Sequence, residues 1–270
     1  MAQPKSRHRV PHVFDCWNHV AARLRRAERL LLLLDFDGTL VGFRRNPEDV
    51  RLEESVRSLL ARLARRNDVS LGFISGRRRA DLLHRVNVPG AKYWGLHGWE
   101  KHPSRRLNGS SRRAILSLRE ALGSAISPLS GVWLDDKHAT LALHYRGAPS
   151  DAAREARAIT RKVLAARAPQ FRILRGKKIW ELLPSEIEGK GAVVAHLAHD
   201  APAGTLAVYI GDDTTDEAAF AALTQGLTIR VGRPKRTHAR FRLRNPGEVR
   251  QFLERLAAET RRQGRVPRNS

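Results

Sequence analysis

Leu30 to Leu34 are five consecutive leucines, and they run straight into Asp35-Phe36-Asp37-Gly38-Thr39. An apolar run with neither helical nor alternating period fits a strand buried on both faces, as in a parallel sheet covered by helices. In open parallel α/β sheets the ligand sits outside the carboxyl ends of the strands. The chain therefore aims two carboxylates, Asp35 and Asp37, at the place where such a fold binds, and Gly38 permits a bend behind them. Two acids so close suit a hard cation, usually Mg²⁺, or an acid/base pair. The plain alternative is a pair of acids capping a turn, and the rest of the chain argues against it.

Further strand-like runs follow, each with polar residues at its end. Val69–Ile74 leads into Ser75-Gly76-Arg77, Lys92–Leu96 into His97-Gly98, and Leu206–Ile210 into Gly211-Asp212-Asp213-Thr214-Thr215-Asp216-Glu217; Leu227–Val231 is a fifth run. Helical segments are expected at Val13–Leu30, Pro47–Arg65, Arg78–Val86, Gly191–Leu197, Asp216–Leu223 and Pro246–Arg261. This alternation predicts an α/β fold with a Rossmann-like parallel-sheet core. Around Leu107–Ser111 the pattern changes. A helix Arg112–Ile126, a hairpin of Val132–Leu134 and Thr140–Tyr145 turning near Asp136, a helix Ser150–Ala166 and strands Phe171–Leu174 and Lys178–Leu183 read as an inserted α+β cap. The expected division is a core of residues 12–107 and 185–262, a cap of residues 108–184, and flexible tails 1–11 and 263–270. No internal repeat is present.

The motifs occur in a telling order. Asp35-Phe36-Asp37-Gly38-Thr39, Ser75 at a strand end, Gly189-Lys190-Gly191 and Gly211-Asp212-Asp213-Thr214-Thr215-Asp216 resemble the haloacid dehalogenase-type phosphatases. Within them, Val132-Trp133-Leu134-Asp135-Asp136-Lys137 with His144-Tyr145-Arg146, and Gly176-Lys177-Lys178-Ile179-Trp180-Glu181 with Pro184, resemble the trehalose-6-phosphate phosphatases. The resemblance spans roughly Leu31 to Leu243. It implies a haloacid dehalogenase-like core and Mg²⁺-dependent hydrolysis of trehalose 6-phosphate through an aspartyl-phosphate. It also implies a functional link to a trehalose-6-phosphate synthase. Other glycosyl phosphates, such as sucrose 6-phosphate or mannosyl- and glucosyl-phosphoglycerate, are the nearest alternatives. A non-catalytic sugar-phosphate sensor or polyanion-binding domain is the alternative of another class, and it would need none of the chemistry below.

That chemistry can be assigned to residues. A phosphate monoester hydrolyses extremely slowly in water, and a carboxylate nucleophile divides the reaction into two easier steps. Asp35 is the expected nucleophile, and Asp37 the group that protonates the leaving sugar and later deprotonates water. Thr39, Ser75 and Lys190 are expected to neutralise the transferring phosphoryl group. Asp35 and Asp212 are the expected direct ligands of Mg²⁺, with Asp37 contributing its backbone carbonyl. Asp213 and Asp216 stay open between direct ligation and orienting metal-bound water. The resemblance assigns Asp135, Lys137, Arg146, Lys177 and Glu181 to the sugar; Asp135 stands where the family carries Glu, one methylene longer. Lys177 and Glu181, four apart on an expected strand, would share a face. Arg77 and His97 are expected to line the cleft, although His97 fits a buried structural histidine equally well.

Composition narrows the setting. The chain has 270 residues, 41% of them apolar, and no stretch long enough to span a bilayer. A single cysteine, Cys16, excludes an internal disulfide and fits a reducing, cytoplasmic setting. The formal charge of +23 rests on 50 Lys and Arg residues against 27 acids. Nucleic acid must be considered on that ground. The arginines are dispersed in pairs and triplets, however, and aromatic residues are only 6%, so no stacking pattern accompanies them. The expected partner is a small anionic sugar phosphate, which a positive field attracts.

Overall fold

The computed structural model describes residues 10–42, 49–101, 106–176, 178–233 and 236–261. In chain order its first elements are α1 (Trp17–Arg26), β1 (Arg29–Leu34), α2 (Glu54–Ala64), β2 (Val69–Ile74), α3 (Arg79–Val86) and β3 (Lys92–Trp94). They are followed by α4 (Gly109–Ile126), β4 (Trp133–Asp136), β5 (Leu141–His144), α5 (Ser150–Arg167), β6 (Arg172–Gly176) and β7 (Ile179–Leu183). The last are α6 (Lys190–His199), β8 (Thr205–Gly211), α7 (Glu217–Ala222), β9 (Leu227–Val231), β10 (Phe241–Leu243) and α8 (Pro246–Arg261).

One sheet has six parallel strands in the order β10-β9-β8-β1-β2-β3. The leucine run is its centre, and successive leucines serve opposite faces. Leu30, Leu32 and Leu34 pack with Leu60, Leu63 and Phe252. Leu31 and Leu33 pack with Val194, Ala219 and Phe220 on the other side. Helices therefore cover both faces, which is why the strand tolerates no polar residue.

The second sheet is antiparallel, in the order β4-β5-β7-β6. Here the alternation has a one-sided outcome. Leu141, Leu143, Trp180 and Leu182 are buried beneath α4 and α5. On the opposite face, Trp133, Asp135, His144 and Glu181 line a cleft of about 1060 Å³ against the parallel sheet's carboxyl ends. Sheet and helices thus form a lid whose polar face is turned to the core.

Several element boundaries differ from expectation. The first helix is Trp17–Arg26 rather than Val13–Leu30, because residues ahead of it extend the parallel sheet's edge: Val13 N–H donates to Arg242 O, and Arg242 N–H donates to Pro11 O. β10 was not anticipated, being three residues long. α2 begins at Glu54 rather than at Pro47, and residues 43–48 lie outside the described ones. β3 stops at Trp94 because Leu96, His97 and Gly98 all take positive φ. Lys178, expected within a strand, sits in the β6–β7 turn with φ 66°. Among the described residues no helix is long and apolar enough to cross a membrane.

Candidate active site

β1 and β8 are neighbours, and the Asp35 N–H donates to Ile210 O at 2.9 Å. Asp35 and Asp212 consequently leave the sheet side by side. Behind Asp35 the chain reverses: Thr39, Leu40 and Val41 N–H groups all point to Phe36 O. Gly38 takes φ +83°, and a Cβ there would overlap the Asp212 carboxylate. The glycine is thus required by both conformation and space.

Asp35, Asp212 and Asp216 bring carboxylate oxygens within 4.8 Å of one another, all three buried. Lys190, first residue of α6, inserts its Nζ among them, 2.7 Å from Asp35 Oδ1 and 2.8 Å from Asp216 Oδ1. Tyr209 also donates to Asp216 Oδ1 at 2.6 Å, and Asp213 N–H donates to Asp216 Oδ2 at 2.9 Å. Both Asp216 oxygens are thereby engaged by the protein. Thr39 Oγ1 lies 3.3 Å from Asp35 Oδ2.

The charges are strongly perturbed. Burial pushes the Asp35 carboxyl well above its ordinary range; Lys190 opposes this, while Asp216 and Asp212 add to it. Burial works against the Lys190 ammonium, but Asp216 and Asp35 more than offset it and hold the proton firmly. Burial likewise raises the Tyr209 phenol, with Asp216 and Asp35 adding to it, so it stays a donor. Close, buried, all-oxygen acids make a donor set suited to a hard divalent cation.

A second chain of contacts starts at Asp37. Arg77 Nε and Nη2 clamp its two oxygens at 2.6 and 2.8 Å. Arg77 Nη1 reaches Asp81 at 2.9 Å, and Asp81 accepts from Arg85 Nε at 2.6 Å. Arg85 is fully buried and donates to Val50 O. The bidentate geometry of Arg77 therefore rests on a fixed support.

The lid meets the core at Glu181. Its carboxylate accepts from Lys137 Nζ at 3.0 Å and Thr140 Oγ1 at 2.8 Å, and pairs with His97 Nε2 at 2.7 Å. Lys137 Nζ also donates to Gly76 O at 2.9 Å. The left-handed turn at Leu96–Gly98 delivers His97 to this junction. Burial opposes ionisation of Glu181, yet Lys137 and His97 hold its carboxyl well below the usual range. The whole arrangement gathers the Asp35 and Asp37 carboxylates, the Lys190 ammonium and a roomy polar cleft in one place, a set of groups that suits transfer of an anionic group.

A family model described as trehalose-phosphatase matches residues 33–246. The chain belongs to the trehalose-phosphatase family. A "Trehalose-phosphate phosphatase" of Mycobacterium avium is 34% identical over 249 residues, covering 86% of this chain and 63% of that protein. The chain thus spans about three-fifths of the length of the mycobacterial trehalose-phosphate phosphatases it matches. The C-terminal domain of the Candida albicans trehalose-6-phosphate phosphatase superposes with a TM-score of 0.79 at 20% identity, over 94% of this chain and 99% of that one. A "trehalose-6-phosphate phosphatase related protein" superposes with a TM-score of 0.71 at 27% identity, over 87% and 100%.

Of the site residues anticipated from sequence, Asp35, Asp37, Ser75, Arg77, His97, Asp135, Lys137, Arg146, Glu181, Lys190, Asp212 and Asp213 all line one cleft, and Thr39 is buried behind it. Lys177 lies outside the described residues. Asp213 uses its carboxylate to cap Thr214 N–H, and it is Asp216 that joins the acidic cluster. Arg77 binds Asp37 and Asp81, and His97 is buried on Glu181. Tyr209, Asp81 and Arg85 were not anticipated. Asp81 lies four residues from each arginine on or beside α3, a spacing that could have revealed it; Tyr209 carried no signal within its apolar strand.

Proposed function

We propose that this chain hydrolyses trehalose 6-phosphate to trehalose and inorganic phosphate, through an aspartyl-phosphate on Asp35 and with Mg²⁺. The observation that carries this reading is the Asp35–Lys190–Asp216 constellation beside Asp212, at the carboxyl ends of adjacent parallel strands, in a chain of the trehalose-phosphatase family. Asp35 and Asp212, with the backbone carbonyl of Asp37, are the residues that would hold Mg²⁺. Asp216, whose oxygens serve Lys190, Tyr209 and Asp213 N–H, orients rather than ligates. When bound, Mg²⁺ supplies the positive charge that lets a phosphate dianion approach carboxylates.

In the first step an Asp35 carboxylate oxygen bonds to phosphorus as the phosphorus–sugar oxygen bond breaks, and Asp37 gives its proton to that oxygen. In the second, water attacks the aspartyl-phosphate, Asp37 recovers a proton, and phosphate leaves a free Asp35. Donation requires a proton on Asp37, and a protonated carboxyl can no longer accept from both Arg77 donors equally well. Arg77 clamps both Asp37 oxygens, so that pairing has to open on one side for the first step, whereas it suits the ionised carboxylate that begins the second. Lys190 stays charged throughout and neutralises the phosphoryl oxygens. On the lid, Lys137, Glu181, Asp135 and Arg146 present charged groups to sugar hydroxyls, where hydrogen bonds are strongest.

Phosphate release across a panel of sugar phosphates, with and without chelator, tests the reading. Trehalose 6-phosphate should be the preferred substrate, chelation should abolish turnover, and Asp35→Asn should be inactive yet folded. Preference for another glycosyl phosphate would remove the trehalose assignment; an active Asp35→Asn protein would remove the mechanism.

A further inference from the structure

Among the described residues the exposed large hydrophobic side chains are Leu83, Leu116 and Trp133, and of these only Trp133 faces the cleft. Its indole lies flat on the His144 imidazole, with centroids 3.8 Å apart and planes within 2° of parallel. The two residues are directly opposed on β4 and β5, so the sheet itself holds one ring against the other. His144 Nε2 in turn faces Asp135 Oδ2 at 3.8 Å. One indole face is occupied by His144. The residue is nevertheless 49% exposed, so a flat apolar surface is turned to the cleft.

Its surroundings identify what that surface fits. Asp135, Arg146 and Lys178 line the same cleft, so the indole is an apolar plate among polar neighbours. A protein segment would be met by a broader apolar patch. A pyranose ring matches: its C–H face is apolar, and its hydroxyls project sideways to charged groups. The plate is also remote from the phosphate end. Trp133 is four residues along β4 from Lys137, whose ammonium touches the core at Gly76 O, a distance of about 13 Å along a strand. It is also three strands across the lid from Gly176, which packs against Asp213, about 14 Å.

We propose that Trp133, backed by His144, is the stacking platform for the sugar ring that carries no phosphate, and that it selects disaccharide phosphates over monosaccharide phosphates. This rests on the sugar-phosphatase reading above. It adds a binding element to the lid that the charged residues do not supply.

The test compares wild type, Trp133→Ala and Trp133→Phe on trehalose 6-phosphate, glucose 6-phosphate and acetyl phosphate. Trp133→Ala should lower kcat/KM for trehalose 6-phosphate by about ten- to a hundredfold, mainly through KM. Glucose 6-phosphate and acetyl phosphate should change less than about threefold. Trp133→Phe, which keeps a flat ring, should recover most of the loss. An equal fall on all three substrates, or none on trehalose 6-phosphate, overturns the platform. Should the wild type prefer another glycosyl phosphate, the trehalose reading falls, and the same comparison on that substrate decides the platform. A binding measurement frees the test from turnover. Saturation-transfer NMR with trehalose itself should show protein contact on wild type that Trp133→Ala loses; an unchanged signal would count against the platform even in an inactive protein.

Discussion

Glu181 is the point at which lid and core are joined, and replacing it has a calculable consequence. Its carboxylate takes three hydrogen bonds, from Lys137, Thr140 and His97, with the side chain only 6% exposed. Removing one partner of a buried ion pair costs ~3–5 kcal/mol, because the other is left uncompensated. Lys137 is 12% exposed and retains Gly76 O as an acceptor, so the lower end applies: Glu181→Ala should lose about 3 kcal/mol. With a urea slope of about 2–3 kcal/mol/M, the midpoint should fall by roughly 1 M. Glu181→Gln keeps the volume and loses the charge, and should fall by about half as much. The pH dependence follows from the carboxyl being held below its ordinary value of 4.5 by Lys137 and His97 against burial. An acid with a depressed folded value stabilises fully above that ordinary value and loses its contribution as pH falls toward the folded one. Urea titrations of wild type and Glu181→Gln at pH 7 and at pH 3.5 measure this. The gap should be wide at pH 7 and narrower at pH 3.5. Equal midpoints at pH 7, or a gap that widens in acid, would refute the account.

Three further outcomes are expected. Lys190→Met should fold less stably and lose at least about a thousandfold in kcat, since it removes the ammonium between Asp35 and Asp216; steady-state phosphate release decides, and activity within tenfold of wild type would exclude its role. Asp212→Ala should lose most activity, with part recovered as Mg²⁺ is raised, and isothermal titration should show weakened Mg²⁺ binding. Gly38→Ala should be severely impaired in activity, because the left-handed turn and the adjoining Asp212 carboxylate leave no room for a methyl group; a fully active Gly38→Ala enzyme would show that this turn does not set the site.

The parallel core was legible because its signals are local. Five leucines without a period demand burial on both faces wherever they lie, and β1 delivers this. The acids at the ends of β1 and β8 were legible for the same reason: a strand end is where an open α/β sheet binds, and Asp35 follows its apolar run at once, Asp212 after Gly211. What depended on tertiary structure was which groups share a contact. Asp216 and Asp213 are near-equivalent in sequence, yet only Asp216 enters the cluster with Asp35 and Asp212, because a short turn faces one inward and leaves the other capping Thr214. Arg77 read as a cleft residue and is the clamp on Asp37, since its partner lies 40 positions away. His97 stood between two readings until β3 ended early and a left-handed turn carried it to Glu181. Trp133 read as one more residue of a cap hairpin. The side of the sheet it occupies, and the imidazole stacked behind it, depend on cross-strand register. Burial and periodicity are properties of a segment and can be read from it, whereas pairing is a property of two distant segments and exists only once the chain has folded.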